Sequence, residues 1–151
     1  MTAIIGAKAC KPNPALKLLA PLVGKWQTTG THPYFPGAEL HGRVSFEWVE
    51  GGAFLLMRSE IEHPKFPNGI AIFGSDNEAG AYYQLYFDER GISRKYEVAI
   101  TDNQRTWWRD DAHFSQRFTM TIEKDRLVTS GEMSRGGGEW EMDLSLTYRR
   151  L

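Results

Sequence analysis

Cysteine is nearly missing from this sequence. Cys10 is the single one among 151 residues, which excludes an internal disulfide and any metal site built from several cysteines. An excess of either charge is missing too. Eighteen Lys and Arg against 19 Asp and Glu leave a net charge of −1, without the electrostatic footprint of a nucleic-acid-binding surface. No apolar run approaches the ~18 residues needed to span a bilayer, and no basic segment followed by an apolar stretch marks a signal peptide. The expectation is a cytoplasmic chain that binds no nucleic acid and inserts into no membrane. There is also no Gly-x-Ser-x-Gly elbow, no His-Glu-x-x-His, no P-loop and no dinucleotide fingerprint.

Aromatic residues are abundant, at 13% with five Trp, and such rings must fill a core or line a cavity. The length suits one domain. A flexible tail is expected over 1–12 and a single domain over 13–151. The stretch "NPALKLLAPLVG" reads as a short helix, with Asn13 as N-cap, Pro14 at the first helical position and Leu16, Leu19 and Leu22 as its apolar stripe. Pro21 and Gly24 end it.

The rest reads as ten strands, near 24–32, 38–49, 53–62, 70–76, 80–88, 92–101, 104–111, 114–124, 126–135 and 138–150. Gly-, Asn- and Asp-rich turns separate them. In "EWEMDLSLTYRR" the alternation puts Trp140, Met142, Leu144, Leu146 and Tyr148 inside and Asp143 outside. Phe118, Met120 and Gln116 share a face, as do Arg94, Tyr96 and Val98. Of Trp107 and Trp108 one must point inward; these strands are aromatic on both faces, and Trp108 is taken as the inward ring. Ten antiparallel strands in meander order leave two open edges unless they close. The predicted fold is all-β: a closed up-and-down barrel of about ten strands with the 13–22 helix plugging one end. Closure would bring Arg150 onto Trp26.

The phrase His-Pro-x-Phe-Pro occurs twice, from His32 and again from His63. Both copies follow odd-numbered strands, so both fall at the open rim as neighbouring lips of one mouth. His41 and His113 fall at the same end. Inside, an Arg94 guanidinium is costly unless paired, with Glu60 or Glu47 as internal partner or a ligand's carboxylate as external one. The candidate ligand-binding residues are Arg94, Tyr96, Gln116, Phe118, Met57, Trp108, Met142, His32 and His63. No catalytic or metal-binding residue is assigned.

The opening "NPALKLLAPLVGKWQTTGTHPYFPG" resembles that of the nitrobindin and calycin-like barrels. Gly24-Lys25-Trp26 is similar to the lipocalin signature, and Arg94-x-Tyr96 to the carboxylate clamp of fatty-acid-binding proteins. Through "FEWVEGGAFLLMRSEIEHPKFP", "YFDERGISRKYEV", "FSQRFT" and "GGEWEMDLSLTYRR", nearly the whole chain resembles an uncharacterised bacterial family of calycin-like domains. That family implies a ten-stranded barrel and no assigned activity. Nitrobindins hold haem through a histidine on the final strand; here that strand has none, and Asp143 stands near its place. No cofactor is therefore expected, haem being left to a rim histidine. The expected function is binding of a small apolar molecule with a polar or carboxylate head. The alternatives are an isomerase- or cyclase-like enzyme using His32 or His63, haem or metal held by His32, His63 and His113, or an interaction module without ligand; a homodimer is left open.

Overall fold

The computed structural model describes residues 12–151; the expected tail, with Cys10, lies outside them except for Pro12. Ten antiparallel strands close on themselves: β1 (Gly24–Thr31), β2 (Leu40–Val49), β3 (Phe54–Ile61), β4 (Gly69–Asp76), β5 (Ala81–Asp88), β6 (Ser93–Ile100), β7 (Gln104–Arg109), β8 (Phe114–Ile122), β9 (Arg126–Arg135) and β10 (Glu141–Arg150). Each pairs with its sequence neighbours, and β10 pairs with β1 from Trp26↔Arg150 to Thr31↔Ser145. Closure satisfies both edges that a ten-stranded meander would expose. Among the described residues, no helix is long and apolar enough to cross a membrane.

The helix before β1 is a 3-10 helix over Pro14–Leu22, with the Asn13 side chain accepting from the Ala15 N–H at 3.0 Å. Its leucines recur every three residues, the period of a 3-10 helix, so Leu16, Leu19 and Leu22 fall on one face. All three are buried under the barrel floor.

Arginines seal that floor. Arg150 lies 4.1 Å over the Trp26 ring and donates to the carbonyls of Val23 (2.7 Å) and Pro21 (3.0 Å). Trp26 in turn donates its indole N–H to Leu22 O at 2.8 Å. Gly24 makes the arrangement fit. Its φ is +133°, and a Cβ there would meet Arg150 Nη1 at 2.5 Å. Thus Gly24-x-Trp26 at one chain end and Arg150 at the other form a single joint, as expected from the sequence.

Arg105 was not anticipated. It is wholly buried, and its guanidinium donates to Gln104 O at 3.0 Å, to Thr101 O and to Leu18 O in the helix. Burial lowers its pKa. Arg105 also decides which tryptophan faces inward. Residues two apart share a face, so Arg105 and Trp107 point in while Trp108 points out, correcting the expectation for Trp108. The Arg105/Trp107/Arg109 face looks charged in the sequence, yet it is the buried one because backbone carbonyls of the floor receive Arg105.

Candidate functional site

The opposite end of the barrel opens into a cavity of about 580 Å³. Its lips are the two His-Pro-x-Phe-Pro segments, and the repeated phrase encodes one turn made twice. In each, the histidine carbonyl accepts from the phenylalanine N–H at 3.0 Å. Each histidine Nδ1 also accepts from the N–H two residues on, Tyr34 at 3.0 Å and Lys65 at 3.1 Å. Proline supplies the fixed φ that this turn needs at its second position. The phenylalanines then meet: Phe35 and Phe66 lie 5.5 Å apart, Phe35 and His63 4.7 Å, and His32 and Phe66 5.7 Å. The lips form one aromatic cluster.

Only His32 turns into the cavity. Its Nδ1 accepts from Tyr34, so Nε2 carries the proton and donates to Asp143 Oδ1 at 3.0 Å. Asp143 Oδ1 also accepts from the Leu144 N–H (2.7 Å), and Oδ2 accepts from Gln116 Nε2 (2.9 Å). Gln116 Oε1 then accepts from the Tyr96 hydroxyl at 2.6 Å and from Arg94 Nη1 at 3.4 Å. Five side chains from β6, β8, β10 and the first lip are thereby joined. The chain of bonds fixes the Gln116 amide, with its N–H toward the carboxylate and its oxygen toward the donors.

Asp143 overturns the expectation that it faces outward. The register of β10 on β9 runs Met142↔Glu132 and then Ser145↔Ser130, so one extra residue sits between them. This bulge inverts the alternation. Below it, Leu146 and Tyr148 point inward as expected; above it Asp143 points inward, and Met142 is 53% exposed on the outer wall. Met142 is therefore not a cavity residue. No glycine or proline marks the bulge. The signal available in the sequence was a set of polar inward residues, His32 and Gln116, in need of a partner.

The other expected residues sort cleanly. Arg94, Tyr96, Gln116, Phe118, Met57 and His32 line the cavity. His63 belongs to the lip cluster and not to the cavity wall. His41 lies beside Glu39 at 3.3 Å, the His113 backbone N–H is bound by Asp111, and neither ring lines the cavity. Among the described residues no group of three His, Cys, Asp or Glu is arranged to hold a metal ion. Nor do the inward residues fit an axial ligand for haem. The Asp143 carboxylate already accepts from three donors, and both His32 nitrogens are engaged within the protein.

Glu47 and Glu60, the expected partners of Arg94, are exposed on the outer faces of β2 and β3. Arg94 instead lies 5.2 Å from the Phe114 ring, with Arg135 5.1 Å from the same ring. Neither arginine has a carboxylate partner among the described residues. Arg90, at the same mouth, is paired with Asp88 at 2.8 Å. Burial alone would push the Asp88 carboxyl up, but bonds from Arg90 and Tyr86 outweigh it and hold the group at about 2. Lys65, Arg90, Arg94 and Arg135 thus line the cavity with one lining carboxylate, Asp143, and of these cations Arg90 is already paired with Asp88.

Beneath the polar cluster the wall is apolar. Phe118 stacks on Trp107 with centroids 5.6 Å apart and planes 19° apart. Gly131 makes room for that ring, since a Cβ there would meet Phe118 Cε1 at 2.5 Å. Met57, Met133, Leu144 and Leu146 complete this level. Burial raises the Tyr96 pKa, keeping its hydroxyl a donor.

Neither a family model nor a curated protein matches this chain. Among solved structures, the chain is similar to Rv2717c from M. tuberculosis, with a TM-score of 0.67 and 18% identity over 92% of this chain and 98% of that one. At that identity the likeness shows a shared fold and nothing further.

Proposed function

We propose that this barrel holds one small apolar molecule with an anionic head, a carboxylate being the simplest case. The observation that carries the reading is the unequal use of donors at the mouth. Asp143 already accepts three bonds from within the protein, while Arg94, which lines the cavity, makes one long bond to Gln116 and has no carboxylate partner among the described residues. A guanidinium next to an apolar wall recognises a carboxylate well, because the fork geometry matches and competing water is sparse. The head would sit on Arg94 near Arg135, and the body would lie along Phe118, Trp107 and Met57.

An acid–base role for His32 has less support, since both of its ring nitrogens are committed to Tyr34 and Asp143. Its geometry suits holding a lip in place.

Calorimetric titration with decanoate and with decanol tests the reading. Decanoate should bind more tightly than decanol, and Arg94→Ala should remove that preference, at a cost of roughly 1.5–3 kcal/mol for one charged hydrogen-bond partner. Equal affinity of both probes for the native protein, or an unchanged preference in the variant, would sink the proposal.

A further inference from the structure

Below the head cluster, the Gln84 side chain points into the same cavity with an amide oxygen that meets no donor among the described residues. Gln84 is an inward residue of β5, 4% exposed, paired across the ladder with Phe73 on one side and Tyr96 on the other. The nearby Tyr96 hydroxyl is committed to Gln116 at 2.6 Å. A buried amide oxygen without a donor destabilises a protein, whereas an apolar residue of similar volume would not. Thr129 Oγ1 on β9 is also unpartnered and lines the cavity, but it carries less weight because the Tyr148 hydroxyl lies beside it. Such an acceptor is explained if something else supplies the donor.

We propose that Gln84 is a second recognition point, and that the ligand carries a hydrogen-bond donor, a hydroxyl or an N–H, partway along its apolar body. This rests on the reading of an apolar anion whose head meets Arg94. Gln84 stands opposite Tyr96, two residues deeper than Arg94 along β6, or about 7 Å of strand. The donor therefore belongs near the middle of a chain-like acid. Hydroxylated or amide-bearing acids fit both points; a plain fatty acid satisfies only the first.

The test uses the full chain with two probes, plain decanoate and decanoate bearing a mid-chain hydroxyl. The native protein should prefer the hydroxylated probe by between about twofold and tenfold, the range of one net hydrogen bond. In Gln84→Leu and in Gln84→Met that preference should vanish while plain decanoate binds at least as well as before. Without ligand, both variants should melt at or above the native temperature, because an unsatisfied acceptor is gone. A preference that survives both substitutions overturns the proposal, and so does lowered melting of both variants, which would make Gln84 a structural residue. Binding of both probes with equal affinity overturns this inference alone. Failure of both probes to bind the native protein overturns the underlying reading, and this one with it.

Discussion

Arginine is used at both ends of this barrel, with opposite outcomes. At the floor, Arg105 and Arg150 end on backbone carbonyls of the 3-10 helix, its exit and the turn between β6 and β7, and Trp26 is covered from above and bonded from below. Apart from the buried Arg105 Nε, which has no partner among the described residues, those donors hold the fold together. At the mouth, Arg94 and Arg135 rest beside the Phe114 ring with no carboxylate to meet among the described residues. Asp143, the one carboxylate among the residues lining the cavity, already accepts from His32, Gln116 and its own backbone neighbour. A cation whose partners are internal stabilises; a cation left facing a cavity is available to a ligand. The comparison predicts that floor variants change stability without changing recognition, and that variants of the mouth arginines do the reverse.

The largest expected loss comes from the floor. Leu19 is completely buried beneath the barrel, so Leu19→Ala should cost about 2–5 kcal/mol in denaturant unfolding and leave decanoate affinity within error. An affinity loss as large as the stability loss would break the separation of the two ends.

Alkaline pH should weaken the lower barrel specifically. Burial pushes the Tyr148 hydroxyl up to about 12, against about 10 in an unfolded chain. The native state holds that proton longer, so its contribution is complete below pH ~10 and is lost as the pH rises through ~12, on the order of 2–3 kcal/mol. Tyr148→Phe carries no such proton. The stability gap between native protein and variant should therefore shift against the native protein over that window, and a gap that stays constant would contradict the assignment.

Asp143→Ala should have an intermediate effect, about 1–3 kcal/mol for leaving the His32 and Gln116 donors without their acceptor. Amide exchange at Tyr34 and Phe35 should quicken as the first lip loses its tether, while exchange in the helix stays as it was. Smaller again is Arg150→Ala. It removes a cation over an indole, worth about 0.5–2 kcal/mol, and should raise Trp26 solvent exposure as read by fluorescence quenching.

Much of the floor was legible in the sequence. The three-residue spacing of Leu16, Leu19 and Leu22, the Asn13 cap and the Gly24-x-Trp26 start are local signals, and barrel closure then puts Arg150 on Trp26. Pairing of the two lips was legible as well, because strand count alone sends both His-Pro-x-Phe-Pro copies to one rim. The mouth was harder to read, for one reason: its decisive contacts depend on register. One extra residue near Asp143 inverts the upper part of β10, turning Asp143 in and Met142 out. A buried Arg105 likewise hides which of Trp107 and Trp108 is inside. Alternation assumes that charges face solvent, and here two do not.

The most direct measurement is the ligand-induced rise in melting temperature, compared across the native protein, Arg150→Ala and Arg94→Ala with the same excess of decanoate. Binding to the folded state alone raises stability in proportion to the logarithm of ligand over its dissociation constant. The floor variant should start from a lower melting temperature and show the full native rise. The mouth variant should start near the native temperature and show little or no rise. Equal rises in both variants, or a rise lost in Arg150→Ala and kept in Arg94→Ala, would contradict the division of this barrel into a sealed floor and a receptive mouth.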